Sequence, residues 1–211
     1  MKQSNIFSLS SSKSYLKLLG WAFIIVFGSN FVIKDALPYF GFDPEVFGRF
    51  LEYKWSLIGH VSGGLLAIVI GPFQFWKAFR TKYNKIHRTL GVIYLSAIVI
   101  GSISATYLAW TTALAIHWTW AISLQGLAFA WICTGAMAYR AVRLHRYKIH
   151  REWMIRSYVV TFGFVLFRWL NELGASYEIG NFIERGPTIG WICWTIPLFI
   201  TEMVLQWNKK R

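Results

Sequence analysis

Lys85-Ile86-His87-Arg88 recurs letter for letter as Lys148-Ile149-His150-Arg151, and a tyrosine lies just upstream of each copy. Both copies end a basic segment of the chain and open a long apolar segment. Two copies separated by one helical hairpin place His87 and His150 at the same depth on the same side of a membrane. The repeat therefore indicates basic loops that alternate with membrane-spanning helices.

The overall composition is too apolar for a water-soluble domain. Of the 211 residues, 55% are hydrophobic and 18% are aromatic, and the mean hydropathy is +0.42. An apolar helix of about 20 residues spans the ~30 Å hydrocarbon core of a bilayer. Only helices and closed barrels satisfy their backbone groups there, and these apolar runs are too long for barrel strands. We predict an all-α integral membrane protein, surrounded by lipid and forming a single domain over residues 1–211.

The apolar runs divide the chain into six predicted transmembrane helices. They cover residues 15–33, 55–76, 88–110, 117–139, 153–173 and 189–207. Within the first loop, Asp43 followed by Pro44 is typical of an N-cap and a first-turn proline. This pair predicts a short interfacial helix over residues 44–53.

The distribution of charge sets the predicted orientation. Of the 22 Lys and Arg residues behind the formal charge of +13, seventeen fall in four regions: the N-terminus, residues 77–88, residues 140–156 and the C-terminal tail. Seven of the nine acidic residues fall in the segments between them. This alternation follows the positive-inside rule and places both termini in the cytoplasm. Because no basic run accompanies a nucleic-acid-binding motif, the charge does not indicate a DNA or RNA partner.

Four histidines lie near the ends of predicted spans. His60 and His117 are at outer ends, whereas His87 and His150 are at inner ends. Imidazoles on facing helices of a bundle are the usual axial ligands of haem b. The residue one turn after each histidine is small in three cases, which leaves room for a flat ring: Gly64, Gly91 and Ala121, with Met154 as the exception. We therefore predict one or two haem b groups.

Other readings of these histidines stay open. Each alone is typical of an interfacial residue, and the Lys and Arg of the repeat are typical of anchors to an anionic leaflet. A histidine-lined metal site without haem requires three or four donors around one zinc or copper ion. Two histidines at each level fall short of that number unless Glu152, a cysteine or water joins them. Because the sequence has no metalloprotease or hydrolase pattern, no catalytic residue is predicted.

Two arginines are further candidates for cofactor binding. Arg168 lies near the outer end of the fifth predicted span, with Glu172 one turn further on. It is placed to contact a haem propionate or a quinone carbonyl, or to reach the interface as an ordinary cation. Arg156 lies on the inner side. Glu202 in the sixth span is placed to pair with Arg156 or to carry a proton, and pairing is its predicted role.

Several strings resemble the bacterial family of predicted membrane proteins known as domain of unknown function 2306. They are Gly59-His60, Gly71-Pro72-Phe73-Gln74-Phe75, His87-Arg88-x-x-Gly91-x-x-Tyr94, His150-Arg151-x-Trp153-Met154-Ile155-Arg156-Ser157-Tyr158 and Phe167-Arg168-Trp169. The resemblance covers roughly residues 55–170. It implies a multi-pass protein of the bacterial inner membrane, and the family name carries no activity.

The arrangement of the histidines is also similar to that of cytochrome b561 proteins, in which four central helices of six carry one ligand each. That resemblance implies that His60 pairs with His117, that His87 pairs with His150, and that electrons cross or move within the membrane, with a quinone pool as a candidate partner. The first family's pattern includes positions 60, 87 and 150, which favours the inner pair. The alternative function is a non-enzymatic assembly or accessory factor of a respiratory complex.

Overall fold

The computed structural model describes residues 5–207 and 209. The side chains of residues 5–14, 16 and 17 lie outside that description, as do residues 1–4, 208, 210 and 211 of the predicted cytoplasmic termini. The described residues form nine α-helices and no strand. The helices are α1 Asn5–Phe31, α2 Pro44–Phe47, α3 Lys54–Phe75, α4 Lys77–Lys82, α5 Asn84–Leu108, α6 Trp118–Arg143, α7 Tyr147–Thr161, α8 Gly163–Ser176 and α9 Phe182–Trp207. The prediction of an all-α fold is confirmed.

Five helical segments of the described chain are long and apolar enough to cross a membrane. They are Leu18–Gly41, Pro44–Phe75, Asn84–Ala113, Trp118–Arg143 and Phe182–Trp207. The first and third of these continue past the α-helix into a π-helical turn, at Val32–Ala36 and Ala109–Ala113. The chain is therefore a multi-pass membrane protein.

The predicted span at 153–173 is divided into two helices. Its inner part belongs to α7 and its outer part to α8, and neither helix alone has the about 20 residues that cross a bilayer. The division falls before Gly163, a residue of low helix propensity. A Cβ atom at Gly163 would lie 3.0 Å from the Cβ of Trp194 in α9. Close packing of α9 thus accompanies the break.

The short interfacial helix is present and is shorter than predicted. The Asp43 carboxylate accepts a hydrogen bond of 2.9 Å from the Glu45 N–H and caps α2. Pro44 occupies the first turn of α2, where its missing N–H costs nothing. After Phe47 the chain turns at Gly48, which has a positive φ of 49°, and continues as a 3-10 helix over Gly48–Tyr53.

Four helices form the centre of the bundle. Helix α3 packs on α5, α5 on α6, α6 on α7, and α7 on α3, so that α5 and α7 face each other across the diagonal. Helix α9 packs on α6, α7 and α8, while α1 packs on α8. The ring of four helices is therefore the frame that positions the histidines.

The buried centre of this ring contains a hydroxyl network. The Tyr94 hydroxyl from α5 lies 3.0 Å from Ser157 Oγ and 3.2 Å from Thr161 Oγ1, both on α7. Trp131 of α6 donates its Nε1–H to Thr161 Oγ1 at 2.8 Å. Because buried polar groups are costly without partners, this network fixes the diagonal pairing of α5 and α7.

Candidate cofactor site

The two copies of the repeat open α5 and α7 at the end of the bundle that the charge pattern predicts to be the inner end. His87 is the fourth residue of α5, and His150 is the fourth residue of α7. The imidazole of His150 lies close enough to His87 for their charges to interact, as do the guanidinium groups of Arg80 and Arg88. The two histidines thus lie at the same end of the bundle, with arginines close enough to His87 for their charges to act on it.

The hydrogen bond of His150 determines which ring nitrogen is available. Its Nδ1 lies 2.8 Å from the backbone oxygen of Ala138 in α6. A carbonyl oxygen only accepts, so Nδ1 donates the proton, and the neutral ring then carries its lone pair on Nε2. Metal-binding histidines are oriented in the same way, by donating the other ring N–H to a carbonyl or carboxylate. In a neutral His150 ring, Nε2 is therefore available to accept a proton or to bind a metal.

Two buried nitrogen atoms at this end have no hydrogen-bond partner among the described residues. They are Nδ1 of His87 and Nε2 of Gln74, and Gln74 is only 7% exposed. The Gln74 Oε1 atom lies 3.3 Å from where a Cβ on Gly91 would be, so Gln74 fills the space one turn after His87. A buried donor without a partner is rare in folded proteins. These atoms suit a bound group that carries acceptor oxygens.

A cavity of about 370 Å³ lies toward the opposite end of the bundle, which the charge pattern predicts to be the outer end. Most of its wall is aliphatic or aromatic, and its polar lining includes His60, Arg168, Asn171 and Asp35. Gly64, one turn after His60, also lines the cavity, and a Cβ there would meet no atom within 4 Å. The space predicted beside His60 is therefore open, whereas Gln74 fills the space predicted beside His87.

His60 has the same tautomer as His150. Its Nδ1 lies 3.2 Å from the backbone oxygen of Gly101 in α5, so this nitrogen donates and Nε2 keeps the lone pair. The His60 ring also meets the Phe164 ring edge to face, with centroids 6.2 Å apart. Helix α5 and helix α8 together thus fix the orientation of His60.

His117 has a different hydrogen-bonding role from His60 and His150. It is the N-cap of α6, where its Nδ1 accepts the Thr119 N–H at 3.3 Å and lies 2.7 Å from Thr119 Oγ1. A neutral ring that accepts at Nδ1 carries its proton on Nε2, so neither nitrogen has a free lone pair. His117 is also not among the residues that line the cavity beside His60. A haem held by His60 and His117 would require this cap to break.

Arg168 forms its ion pair with a residue that the sequence pattern did not indicate. Its Nε lies 3.7 Å from Asp35 Oδ1, in the π-helical turn after α1, and not beside Glu172. The guanidinium also lies over the Phe164 ring, 5.7 Å from its centroid. Asp35 was missed because it is more than a hundred residues from Arg168 in the sequence. Phe164 lies one helical turn before Arg168, but an aromatic residue at that spacing is unremarkable in an apolar helix.

One comparison with known proteins gives a match. The family described as predicted membrane protein (DUF2306) matches residues 57–205. The chain belongs to this family. The match extends from α3 into α9 and includes His60, His87, His117 and His150. No curated protein and no solved structure matches the chain. For DUF2306 the description gives a membrane location without an activity, so the function has to be argued from the site.

In this DUF2306 protein the predicted partnership of Arg156 and Glu202 is confirmed. The Arg156 Nε donates to Glu202 Oε2 at 2.8 Å, and its Nη2 forms an ion pair with the same oxygen. The Arg156 guanidinium also stacks over Trp153, 4.7 Å from the ring centroid. Glu152, a predicted additional metal donor, forms an ion pair of 3.1 Å with Lys209. Within residues 5–207 and 209, no three His, Cys, Asp or Glu side chains surround a common metal position.

Replacement of Glu202 by alanine is expected to destabilise the bundle by about 1–3 kcal/mol, because the guanidinium of Arg156, only 8% exposed as a residue, loses its carboxylate. The measurement is a denaturing titration with sodium dodecyl sulfate, followed by near-ultraviolet circular dichroism. Glu172→Ala, at an exposed position on α8, is the control and leaves the midpoint unchanged. Arg156→Met combined with Glu202→Leu recovers most of the loss. An unchanged midpoint for Glu202→Ala alone contradicts a structural role for the pair.

Proposed function

We propose that this protein is a b-type haem protein of the bacterial inner membrane that carries electrons across or within the bilayer. It crosses the membrane six times, with α7 and α8 together as the fifth span. The backbone geometry between α7 and α8 supports six crossings, because Phe162, the residue between the two helices, keeps helical dihedral angles. Its N–H also bonds to Tyr158 O at 3.0 Å, and its carbonyl accepts the Leu166 N–H at 3.1 Å.

Both termini lie in the cytoplasm under this proposal. The ion pair between Lys209 and Glu152 supports it, because it holds the C-terminal end beside the start of α7. The two basic segments, residues 77–88 and 140–156, lie at the starts of α5 and α7. Basic segments are retained on the cytoplasmic side of inner-membrane proteins.

His87 and His150 are the residues that hold the haem iron. The observation that carries this assignment is the pair of buried, unpartnered nitrogens, His87 Nδ1 and Gln74 Nε2, beside an imidazole whose Nε2 is available. The Ala138 carbonyl orients the His150 ring. Gln74 and the nearby Arg80 supply donors and positive charge for two carboxylates. When bound, the haem iron supplies a one-electron couple between its ferric and ferrous states.

Room for the ring at this end depends on Gln74. Its side chain fills the space beside Gly91, and its amide nitrogen gains no hydrogen bond there. A buried amide without a partner is destabilised by about 1–3 kcal/mol, so movement of Gln74 toward a carboxylate is favourable. Gln74 would thus move out of the space beside Gly91, which the haem ring would occupy, and would donate a hydrogen bond to a haem carboxylate.

The test is a dithionite-reduced minus oxidised spectrum of the purified full-length protein, with the ratio of haem to protein measured alongside. Sharp α and Soret bands at one haem per chain are the expected result. A colourless protein from haem-replete cells overturns the proposal. If that colourless protein also co-purifies with a respiratory complex, it is an accessory factor and not an electron carrier.

A further inference from the structure

We infer that the outer cavity binds the head group of a quinol, and that His60 and Arg168 are the residues that recognise its two oxygens. This inference deepens the proposed electron-transfer function, because a quinol is a membrane-soluble electron donor. It rests on the geometry of the cavity wall, on the hydrogen-bonding roles of its polar atoms, and on its size and charge.

The wall presents two polar groups that both lie beside one aromatic ring. His60 meets Phe164 edge to face at 6.2 Å, and the Arg168 guanidinium lies over the same ring at 5.7 Å. Phe164 is stacked on Phe167, with centroids 5.2 Å apart and an angle of 21° between the planes. A flat ring that packs against these aromatic side chains places oxygens on its opposite edges toward His60 and Arg168. Quinols carry their two oxygens on opposite edges.

The polar atoms of the cavity distinguish a quinol from a quinone. His60 donates through Nδ1 to Gly101 O, so its Nε2 only accepts. The Nε atom of Arg168 is buried and only donates, and it has no hydrogen-bond partner among the described residues, because its 3.7 Å distance to Asp35 Oδ1 is too long for a hydrogen bond. The ligand must therefore present an O–H to His60 and an acceptor oxygen to Arg168. A quinol hydroxyl serves in either position, whereas both quinone oxygens only accept. Reduced ligand is bound more tightly than oxidised ligand.

Size and charge favour this head group over two other membrane-soluble ligands. A volume of about 370 Å³ is near the lower end of the range for small-molecule pockets, which suits one ring better than a four-pyrrole macrocycle. Asp35 lies 3.7 Å from Arg168 and partly offsets the charge of the two arginines that line the cavity, Arg49 and Arg168. An ionised fatty-acid carboxylate has no O–H to donate to His60 Nε2, whereas a quinol hydroxyl has one. The open space at Gly64 admits the ring beside His60.

The experiment is equilibrium binding of a radiolabelled decyl-substituted benzoquinol, under anaerobic conditions, to the full-length protein in lipid nanodiscs. Empty nanodiscs give the background from partition into lipid, and the matching benzoquinone is the oxidised comparison. We expect saturable binding of the quinol. Its affinity is at least about tenfold higher than that of the quinone, because the quinone cannot donate a hydrogen bond to His60 Nε2.

Three variants test the assigned residues. His60→Ala and Arg168→Ala each weaken quinol binding about tenfold to a hundredfold, and His60→Ala also removes the preference for the quinol. Gly64→Leu fills the space beside His60, leaves the His60 and Arg168 residues themselves unchanged, and abolishes binding. Gly20→Leu in α1 is its matched control, because a Cβ at Gly20 also meets no atom within 4 Å and the residue does not line the cavity.

The outcomes separate this inference from the haem proposal. A colourless protein that still binds the quinol overturns the haem and leaves the quinol site in place. Binding that persists in Gly64→Leu, or that falls equally in Gly20→Leu, overturns the quinol site. If added haemin gives a Soret band that His60→Ala removes while the quinol does not bind, the cavity is a haem site and the inference is wrong.

Discussion

Replacement of His150 by alanine is expected to abolish the haem absorbance of the purified protein while the protein still inserts into the membrane. The haem proposal assigns His150 as a ligand because a hydrogen bond to the Ala138 carbonyl leaves its Nε2 lone pair available. Loss of that imidazole would remove one of the two histidine ligands that the proposal requires. His87→Ala has the same expected result. The measurement is the reduced minus oxidised spectrum, normalised to protein.

Two further variants make this result specific to ligation. His145→Ala is the matched control, because His145 is an exposed residue of the same basic loop and its loss leaves the spectrum unchanged. His150→Gly leaves a hole of imidazole size, so added imidazole restores the bands. Full haem content in both His87→Ala and His150→Ala contradicts the assignment of the inner pair, as does a spectrum that falls equally in His145→Ala.

Local signals in the sequence predicted the elements that depend on local chemistry. The apolar runs predicted where the long helices cross the membrane, because the bilayer requires about 20 apolar residues in a row. The repeat predicted that His87 and His150 occupy equivalent positions, and each is the fourth residue of its helix. Asp43 followed by Pro44 predicted the start of α2, because capping involves only neighbouring residues.

The features that the sequence did not predict depend on contacts between distant segments. The pairing of Arg168 with Asp35 joins residues more than a hundred positions apart, and the adjacent Glu172 was an equally reasonable partner. The cavity exists because side chains of α3, α6 and α8 stop short of one another, which no single helix pattern encodes. The break between α7 and α8 accompanies packing of Trp194 on Gly163, again a tertiary contact.

The four candidate histidines are alike in the sequence, but their ring nitrogens have different hydrogen-bonding roles in the structure. In the sequence, His60, His87, His117 and His150 are equivalent, since each lies near a span end. In the structure, His60 and His150 donate through Nδ1, His117 accepts through Nδ1, and His87 Nδ1 has no partner in the described part of the chain. The hydrogen-bond partner of one ring nitrogen determines whether the other nitrogen is free to bind a metal or to accept a proton from a ligand. The predicted pairing of His60 with His117 stays a prediction, and this geometry does not favour it.

Replacement of Gly63 by alanine is expected to destabilise the bundle strongly, whereas the same change at the adjacent Gly64 is expected to have little effect. A Cβ at Gly63 would lie 2.5 Å from the backbone oxygen of Ala97 and 2.8 Å from the Cα of Gly101. Backbone atoms of α5 cannot rotate away, so α3 and α5 must separate. Overpacking of this kind costs about 1–3 kcal/mol or more. At Gly64 the added methyl group meets open space.

The two variants differ by one position on one helix, so membrane insertion, helix propensity and expression are matched. The measurement is the midpoint of unfolding in sodium dodecyl sulfate, followed by tryptophan fluorescence. The Gly63→Ala midpoint shifts to lower detergent concentration, and the Gly64→Ala midpoint stays near that of the parent protein. Because Gly101 also carries the carbonyl that orients His60, separation of α3 from α5 weakens quinol binding in Gly63→Ala as well. Equal midpoints for the two variants contradict the close approach of these helices, and with it the geometry on which the orientation of His60 depends.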